Sequence, residues 1–207
     1  SNIQNKSIEL SLLLSIPASL GLVIASEEII NALFGYGSFS SEDVKITSSA
    51  LKYFGYGLPA FALIKIFSNF FFARNNTKTP FYISLFVVIL NAIISISFFD
   101  KFGFIIIPIA TSISTWVGVI SYIYLLNLKK SLLLKNYLFK SFLKIISSTI
   151  IMSFFLVQTL ENYTSYLDYT YKFKSIYLLS IVCFAGVIYL LSCYLLGLLK
   201  IKNYKVN

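Results

Sequence analysis

A lysine inside an apolar helix-forming run is the residue of this sequence best placed to do chemistry. The run is 57–80, GLPAFALIKIFSNFFFARNNTKTP, with Lys65 inside it. It ends in a short loop carrying Arg74, the single arginine of the chain, then Lys78 and Pro80. An ammonium in hydrocarbon is costly, so it either reaches the interface or faces a polar cavity. A cation-lined cavity among membrane helices suits an anionic headgroup that must cross lipid. Lys65 is nine residues from Arg74, roughly 13 Å at helical rise. A lysine stem can snorkel part of that distance. Phe61, Ser68, Asn69 and Phe72 share its face by helical spacing. Two readings stand side by side: a snorkelling lysine in a tilted, overlong helix, or a cavity cation with Asn69 and Arg74 lining the same space.

A second set of polar residues lies deeper in the chain. Ser84, Asn91 and Ser95 fall on one helical face. Thr111, Ser114, Thr115, Gly118 and Tyr122 fall on another. Asn91, Ser95 and Thr111 make a candidate monovalent cation site, with help from a carbonyl freed near Pro108. Hard cations want oxygen ligands, preferably a carboxylate, and no acid is expected mid-membrane here. The alternative is helix–helix glue, with Ala110, Ser114 and Gly118 as a ladder of small residues for close approach.

Enzyme chemistry finds little footing. The chain has no histidine, which removes the commonest general base and metal ligand. Its acids, Glu27, Glu28, Glu42, Asp43, Asp100, Glu161 and Asp168 among them, fall in loops or at span ends, and spacing fixes none into a dyad. No nucleophile motif or phosphate-cradling loop is present. Cys183 and Cys193, ten residues apart on one helix, are about 15 Å apart along the axis and cannot pair with each other. No catalytic residue and no cofactor are expected beyond coupling to a monovalent cation or to membrane potential.

The elements that must position these residues are membrane helices. Of 207 residues, 57% are hydrophobic and 12% charged, and mean hydropathy is +0.82. Soluble domains carry about 25% charged residues. Apolar runs cover 10–34, 46–73, 81–99, 104–128, 138–160 and 175–199, each near the length needed to span a bilayer. Continuous runs argue for helices rather than the alternating strands of a barrel. Turn signals separate them: Gly35-Tyr36-Gly37 before Ser40-Ser41-Glu42-Asp43, Asn75 to Pro80, and Asp100 to Gly103. Pro17, Pro59 and Pro108 are each expected to bend a span. The expected fold is an all-α integral membrane protein of six transmembrane helices.

Charge alternates with the spans. Lys6, Arg74, Lys78, Lys129, Lys130, Lys135, Lys140, Lys144, Lys200, Lys202 and Lys205 fall on one side with a single acid, Glu9. The other side holds the remaining acids with Lys45, Lys101, Lys172 and Lys174. Lysine and arginine enrichment marks the cytoplasmic face, so both ends of the chain are expected there. The net charge of +9 then reflects topology and anionic lipid rather than nucleic acid. Residues 129–144 read as a basic interfacial linker between four helices (1–128) and a final pair with a basic tail (145–207). The abrupt start at Ser1 reads as part of a longer chain.

Particular strings narrow this further. Leu33-Phe-Gly-Tyr-Gly-Ser-Phe39, Glu42-Asp43, Gly57-Leu-Pro-Ala-Phe-Ala62, Lys65, Phe72-Ala-Arg74, Thr77-Lys-Thr-Pro80 and Ala110-Thr-Ser112 with Trp116 resemble the MurJ/MviN family of lipid II flippases. The likeness runs in register over about 17–116; the last two helices match in number and character. The resemblance implies fourteen helices: two six-helix lobes around a V-shaped cavity, then two extra helices extending a lipid-tail groove. This chain would supply the last four helices of the second lobe and the extra pair, completed by a missing N-terminal lobe. It implies a bacterial inner-membrane protein that moves the undecaprenyl-pyrophosphate-linked peptidoglycan precursor outward by alternating access. The residues gripping the headgroup would lie in the absent helices, leaving Lys65 and Arg74 to line or gate. Tyr36 departs from a common basic residue, Asn76 from a common aspartate, and Ser95 from a stronger cation ligand. The alternatives are a polysaccharide-lipid or multidrug exporter of the same superfamily and a non-transporting membrane scaffold.

Overall fold

The computed structural model describes residues 2–128 and 136–198. Its helices are α1 (Asn2–Ile24), α2 (Ser26–Phe34), α3 (Ser41–Phe72), α4 (Lys78–Phe102), α5 (Ile106–Leu128), α6 (Asn136–Asn162), the single turn α7 (Thr164–Leu167) and α8 (Lys174–Leu195). Five stretches are long and apolar enough to cross a membrane. One of them, Lys78–Leu128, contains two helices, α4 and α5, packed against each other and joined by a 3-10 turn. Six helices therefore have spanning length. Lys129, Lys130, Lys135, Lys200, Lys202 and Lys205 lie outside the described residues. Of the stretch read as a linker, 136–144 forms the first turns of α6.

Local signals account for the boundaries. Ser40 caps α3 reciprocally: its Oγ accepts from the Asp43 backbone N–H, and the Asp43 carboxylate accepts from the Ser40 N–H at 2.8 Å. Asn75 takes a left-handed φ of 55° to turn the chain between α3 and α4. Pro80 sits in the first turn of α4, where its missing N–H breaks no helical bond. Gly103, at φ 60°, closes α4 in a conformation glycine adopts without strain. The first apolar run is not one helix: it breaks at Ala25, where α1 ends and α2 begins. Pro108 falls in the first turn of α5, so it starts that helix instead of bending it and frees no interior carbonyl.

Pro17 and Pro59 do lie inside helices. Each leaves the carbonyl four residues earlier without its helical donor. A neighbouring helix supplies a replacement in both cases. Tyr189 of α8 donates its hydroxyl to the Leu13 carbonyl at 2.7 Å. Ser19 of α1 donates to the Gly55 carbonyl at 2.7 Å. The prolines thus specify which helix packs there, because the freed carbonyl is costly in hydrocarbon until bonded.

Small residues set the close approaches. A Cβ on Gly57 would meet Ser112 Oγ at 2.6 Å, so α3 and α5 touch nearly backbone to backbone. One on Gly118 would meet Val87 of α4 at 2.7 Å and Ile64 of α3 at 3.0 Å. Ala110, Ser114 and Gly118 are all buried, which fits the small-residue ladder. Two apolar clusters result. One joins Ile8, Leu63, Phe67, Phe71, Val119 and Tyr122 of α1, α3 and α5. The other joins Ala25 and Ala32 to Met152, Leu156, Ile181 and Tyr189 of α6 and α8. The last pair rests mainly on α1 and α2.

Candidate transport surfaces

Lys65 and Asn69 are exposed on α3 with Phe61 and Phe72. Ile64 packs toward α5 beside Gly118, and Gly55 packs toward α1 beside Val23. At about 100° per residue, Lys65 and Asn69 fall on the arc between those two contacts. Neither side chain has a hydrogen-bond or ion-pair partner among the described residues. Arg74, also exposed, lies just past the end of this helix. Ser68, assigned by spacing to the same face, turns inward: its hydroxyl meets Tyr122 Oη at 2.8 Å, in the α3–α5 contact. α3 has 32 residues, about 48 Å at helical rise, against roughly 30 Å of hydrocarbon. Lys52 is a further exposed cation within α3. It lies about 140° around the helix from Lys65 and so addresses a different surface.

The fold brings Asn91, Ser95 and Thr111 together. Asn91 Nδ2 donates to Thr111 Oγ1 at 2.8 Å, and Thr111 Oγ1 donates to the Ile107 carbonyl at 2.7 Å. Ser95 Oγ points to Asn91 Oδ1 at a long 3.5 Å. These bonds satisfy the groups mutually and staple α4 to α5. With no carboxylate in the trio and an amide N–H turned into it, the arrangement fits a cation poorly.

A groove of about 480 Å³ opens between α1, α6 and α8. Leu13, Pro17, Gly21, Met152, Val182 and Gly186 are among its walls, and Ile29 of α2 also lines it. No charged residue lines it. A Cβ on Gly186 would meet nothing within 4 Å, so the space beside it is open.

A polar pocket of about 600 Å³ lies where α2, α3 and the α6–α7 corner meet. Glu27, Glu28, Lys45 and Asp168 line it. Glu28 Oε2 is buried without a partner. Burial pushes its carboxyl above the usual carboxylate range, and the Glu27 charge adds to this against the lowering effect of a backbone hydrogen bond.

Lys174, which the charge alternation groups with the outer-side residues, is completely buried at the first turn of α8. Its ammonium donates to Asn31 Oδ1 at 2.9 Å, the Gly35 carbonyl at 2.7 Å and the Tyr169 carbonyl at 2.9 Å. The spacing carried no signal for this, because Asn31 is 143 residues away and the other acceptors are backbone groups.

Other hydrogen bonds match helix ends as the charge alternation pairs them. Ser141 at the start of α6 donates to Glu9 at the start of α1, at 2.8 Å. Lys144 donates to the Leu196 carbonyl beyond α8, at 2.7 Å. The Lys174 contacts join the end of α2 to the start of α8.

Comparison with known proteins agrees with this architecture. The family model described as "Lipid II flippase MurJ" matches residues 1–179. A probable lipid II flippase MurJ of Rickettsia prowazekii (strain Madrid E) is 34% identical over 204 residues, covering 98% of this chain and 39% of that protein. The lipid II flippase MurJ of Thermosipho africanus (strain TCF52B) is 36% identical over 155 residues, covering 75% of this chain and 31% of that protein. A solved structure of lipid II flippase MurJ in an inward closed conformation superimposes with a TM-score of 0.77 at 28% identity, over 93% of this chain and 38% of that one. The chain therefore spans well under half the length of these relatives, and it belongs to the MurJ family of lipid II flippases.

Proposed function

We propose that the chain supplies the C-terminal helices of a flippase. The flippase moves an undecaprenyl-pyrophosphate-linked peptidoglycan precursor from the cytoplasmic to the periplasmic leaflet of the bacterial inner membrane. It works by alternating access, in cell wall biogenesis. In this reading the lysine-rich ends are cytoplasmic, and no bond is made or broken by the chain.

The division of labour follows from the two surfaces. The arc of α3 bearing Lys65 and Asn69, with Arg74 just past the helix end, lines the central cavity on the side facing the missing N-terminal lobe. There the ammonium offsets part of the pyrophosphate charge. The headgroup is gripped mainly by that other lobe, since a site formed between two lobes needs both. The groove between α1, α6 and α8 holds the polyprenyl chain. Membrane potential, worth about 2.3 kcal/mol per charge per 100 mV, is the coupling we favour, because the Asn91–Ser95–Thr111 trio is better suited to joining helices than to holding a cation.

The observation that carries the proposal is the groove: an open, uncharged channel wall beside Gly186. A scaffold has no need to keep such space empty of side chains. The relatives favour lipid II over the polysaccharide-lipid or multidrug alternatives. Gly186→Leu in the full-length protein tests it, because the added side chain enters open space and fills the groove. Growth of a strain depleted of its own flippase should fail with this variant despite normal protein levels. Growth equal to the unmodified protein would count against a tail in this groove.

A further inference from the structure

We propose that Lys174 is a positioning residue: its buried ammonium seats the outer end of α8 on the C-terminus of α2 and thereby sets the width of the lipid-tail groove at that end. The clause about the tail rests on the function proposed above; the seating rests on geometry alone.

A buried cation needs full compensation. Lys174 has no accessible surface, and the one salt bridge among the described residues, Lys6–Glu9, is elsewhere. Three oxygens take its three protons. Two aromatic faces complete the enclosure, with the Tyr36 ring centroid at 4.2 Å and that of Tyr169 at 4.7 Å. The Gly35 carbonyl lies just past the end of α2, where the helix dipole favours a cation. Ser175 reinforces the seat by donating to the Ala32 carbonyl at 2.6 Å and meeting Tyr36 Oη at 2.8 Å. Asn31 is itself fixed, because its Nδ2 donates to the Leu167 carbonyl at 2.7 Å.

This cluster controls the groove through two short levers. Ile29, a groove wall, precedes Asn31 by two residues on α2. Val182, another wall, follows Lys174 by eight residues on α8, about 12 Å along the axis. Deeper in, Tyr189 pins α8 to the carbonyl freed by Pro17. With both ties in place, the groove's α1–α2 and α8 walls move together.

The test uses full-length protein with Lys174→Met, which keeps the apolar stem and removes the charge. Tyr36→Cys and Ser175→Cys provide thiols for a short bis-maleimide, with Cys183→Ser removing the exposed native thiol. Because both replaced residues belong to the seat, the linker's effect is read against the same cysteine variant left unlinked, and the Lys174→Met effect itself in the otherwise unmodified protein. The readouts are the melting temperature and flipping of a fluorescent polyprenyl-diphosphate-linked disaccharide in vesicles. Lys174→Met should lower the melting temperature by about 5 °C or more and slow flipping about tenfold, and the linker should restore both. Wild-type behaviour of Lys174→Met overturns the proposal. So does a defect that the linker leaves in place, because the ammonium would then act through its charge and not by holding the helices. If Lys174→Met does not accumulate, Asn31→Ala, which removes one acceptor and keeps the charge, decides it by the same readouts. It should be weaker and linker-restored; an unaffected variant overturns the proposal. A wild-type protein that flips nothing refutes the flippase reading, while the melting temperatures still judge the seat.

Discussion

A carboxylate oxygen buried without a partner disfavours its own charged form, and Glu28 is in that position at the polar pocket. Its folded pKa lies above the unfolded one. Its contribution to stability therefore improves as pH falls through the folded value, and at neutral pH the ionised group is a net cost. Glu28→Gln should raise the melting temperature at neutral pH, with the gain shrinking toward about pH 4, the ordinary glutamate range. A gain that persists unchanged in acid would assign the effect to packing. Asn91→Ala should cost about 0.6 kcal/mol, the typical membrane hydrogen-bond value, and leave transport equally responsive to sodium. A lost sodium response would restore the cation reading. Lys65 and the Asn91 trio stand out in the sequence because polar types are rare in apolar runs, and the trio does come together as a hydrogen-bonded contact. Lys174 does not stand out, since its enclosure is made of the distant Asn31 amide, the Gly35 and Tyr169 carbonyls and two tyrosine faces.

At the scale of elements, each internal proline pairs with a side chain on a neighbouring helix. Tyr189→Phe orphans the Leu13 carbonyl and should cost about 1–3 kcal/mol. Pro17→Ala restores an N–H to that same carbonyl. In the Pro17→Ala background, Tyr189→Phe should therefore cost much less, and a double-mutant cycle by thermal unfolding reads the difference. Additive effects would sink the pairing. Gly57→Val forces a Cβ to within 2.6 Å of Ser112 Oγ and should destabilise by about 1–3 kcal/mol. The helices themselves were plain from apolar length and from caps such as Ser40–Asp43. The break at Ala25 was not, because no proline or glycine marks it. Pro108 misled because composition alone does not say whether a proline opens a helix or interrupts one.

Across the whole molecule, α1 is the shared wall. It packs against α3 through Ser19 and Gly55 and carries the last helix pair through Glu9, Leu13 and the α2 corner. The pair is thus attached to the first span rather than to α3, α4 or α5. Under the function proposed above, the pair should move with α1, and the groove should keep its shape through the transport cycle. The sequence made the six spans and their alternation readable, because hydropathy and lysine placement act over whole helices. The groove was invisible in it, because its walls come from helices more than 100 residues apart and consist of residues that look like any lipid-facing surface. The most direct test is flipping by the full-length protein in vesicles, comparing long-chain and short-chain polyprenyl-diphosphate-linked probes with and without Gly186→Leu. Filling the groove should slow the long-chain probe about tenfold and leave the short-chain probe and the melting temperature unchanged. Equal rates for the long-chain probe in both proteins would contradict the account.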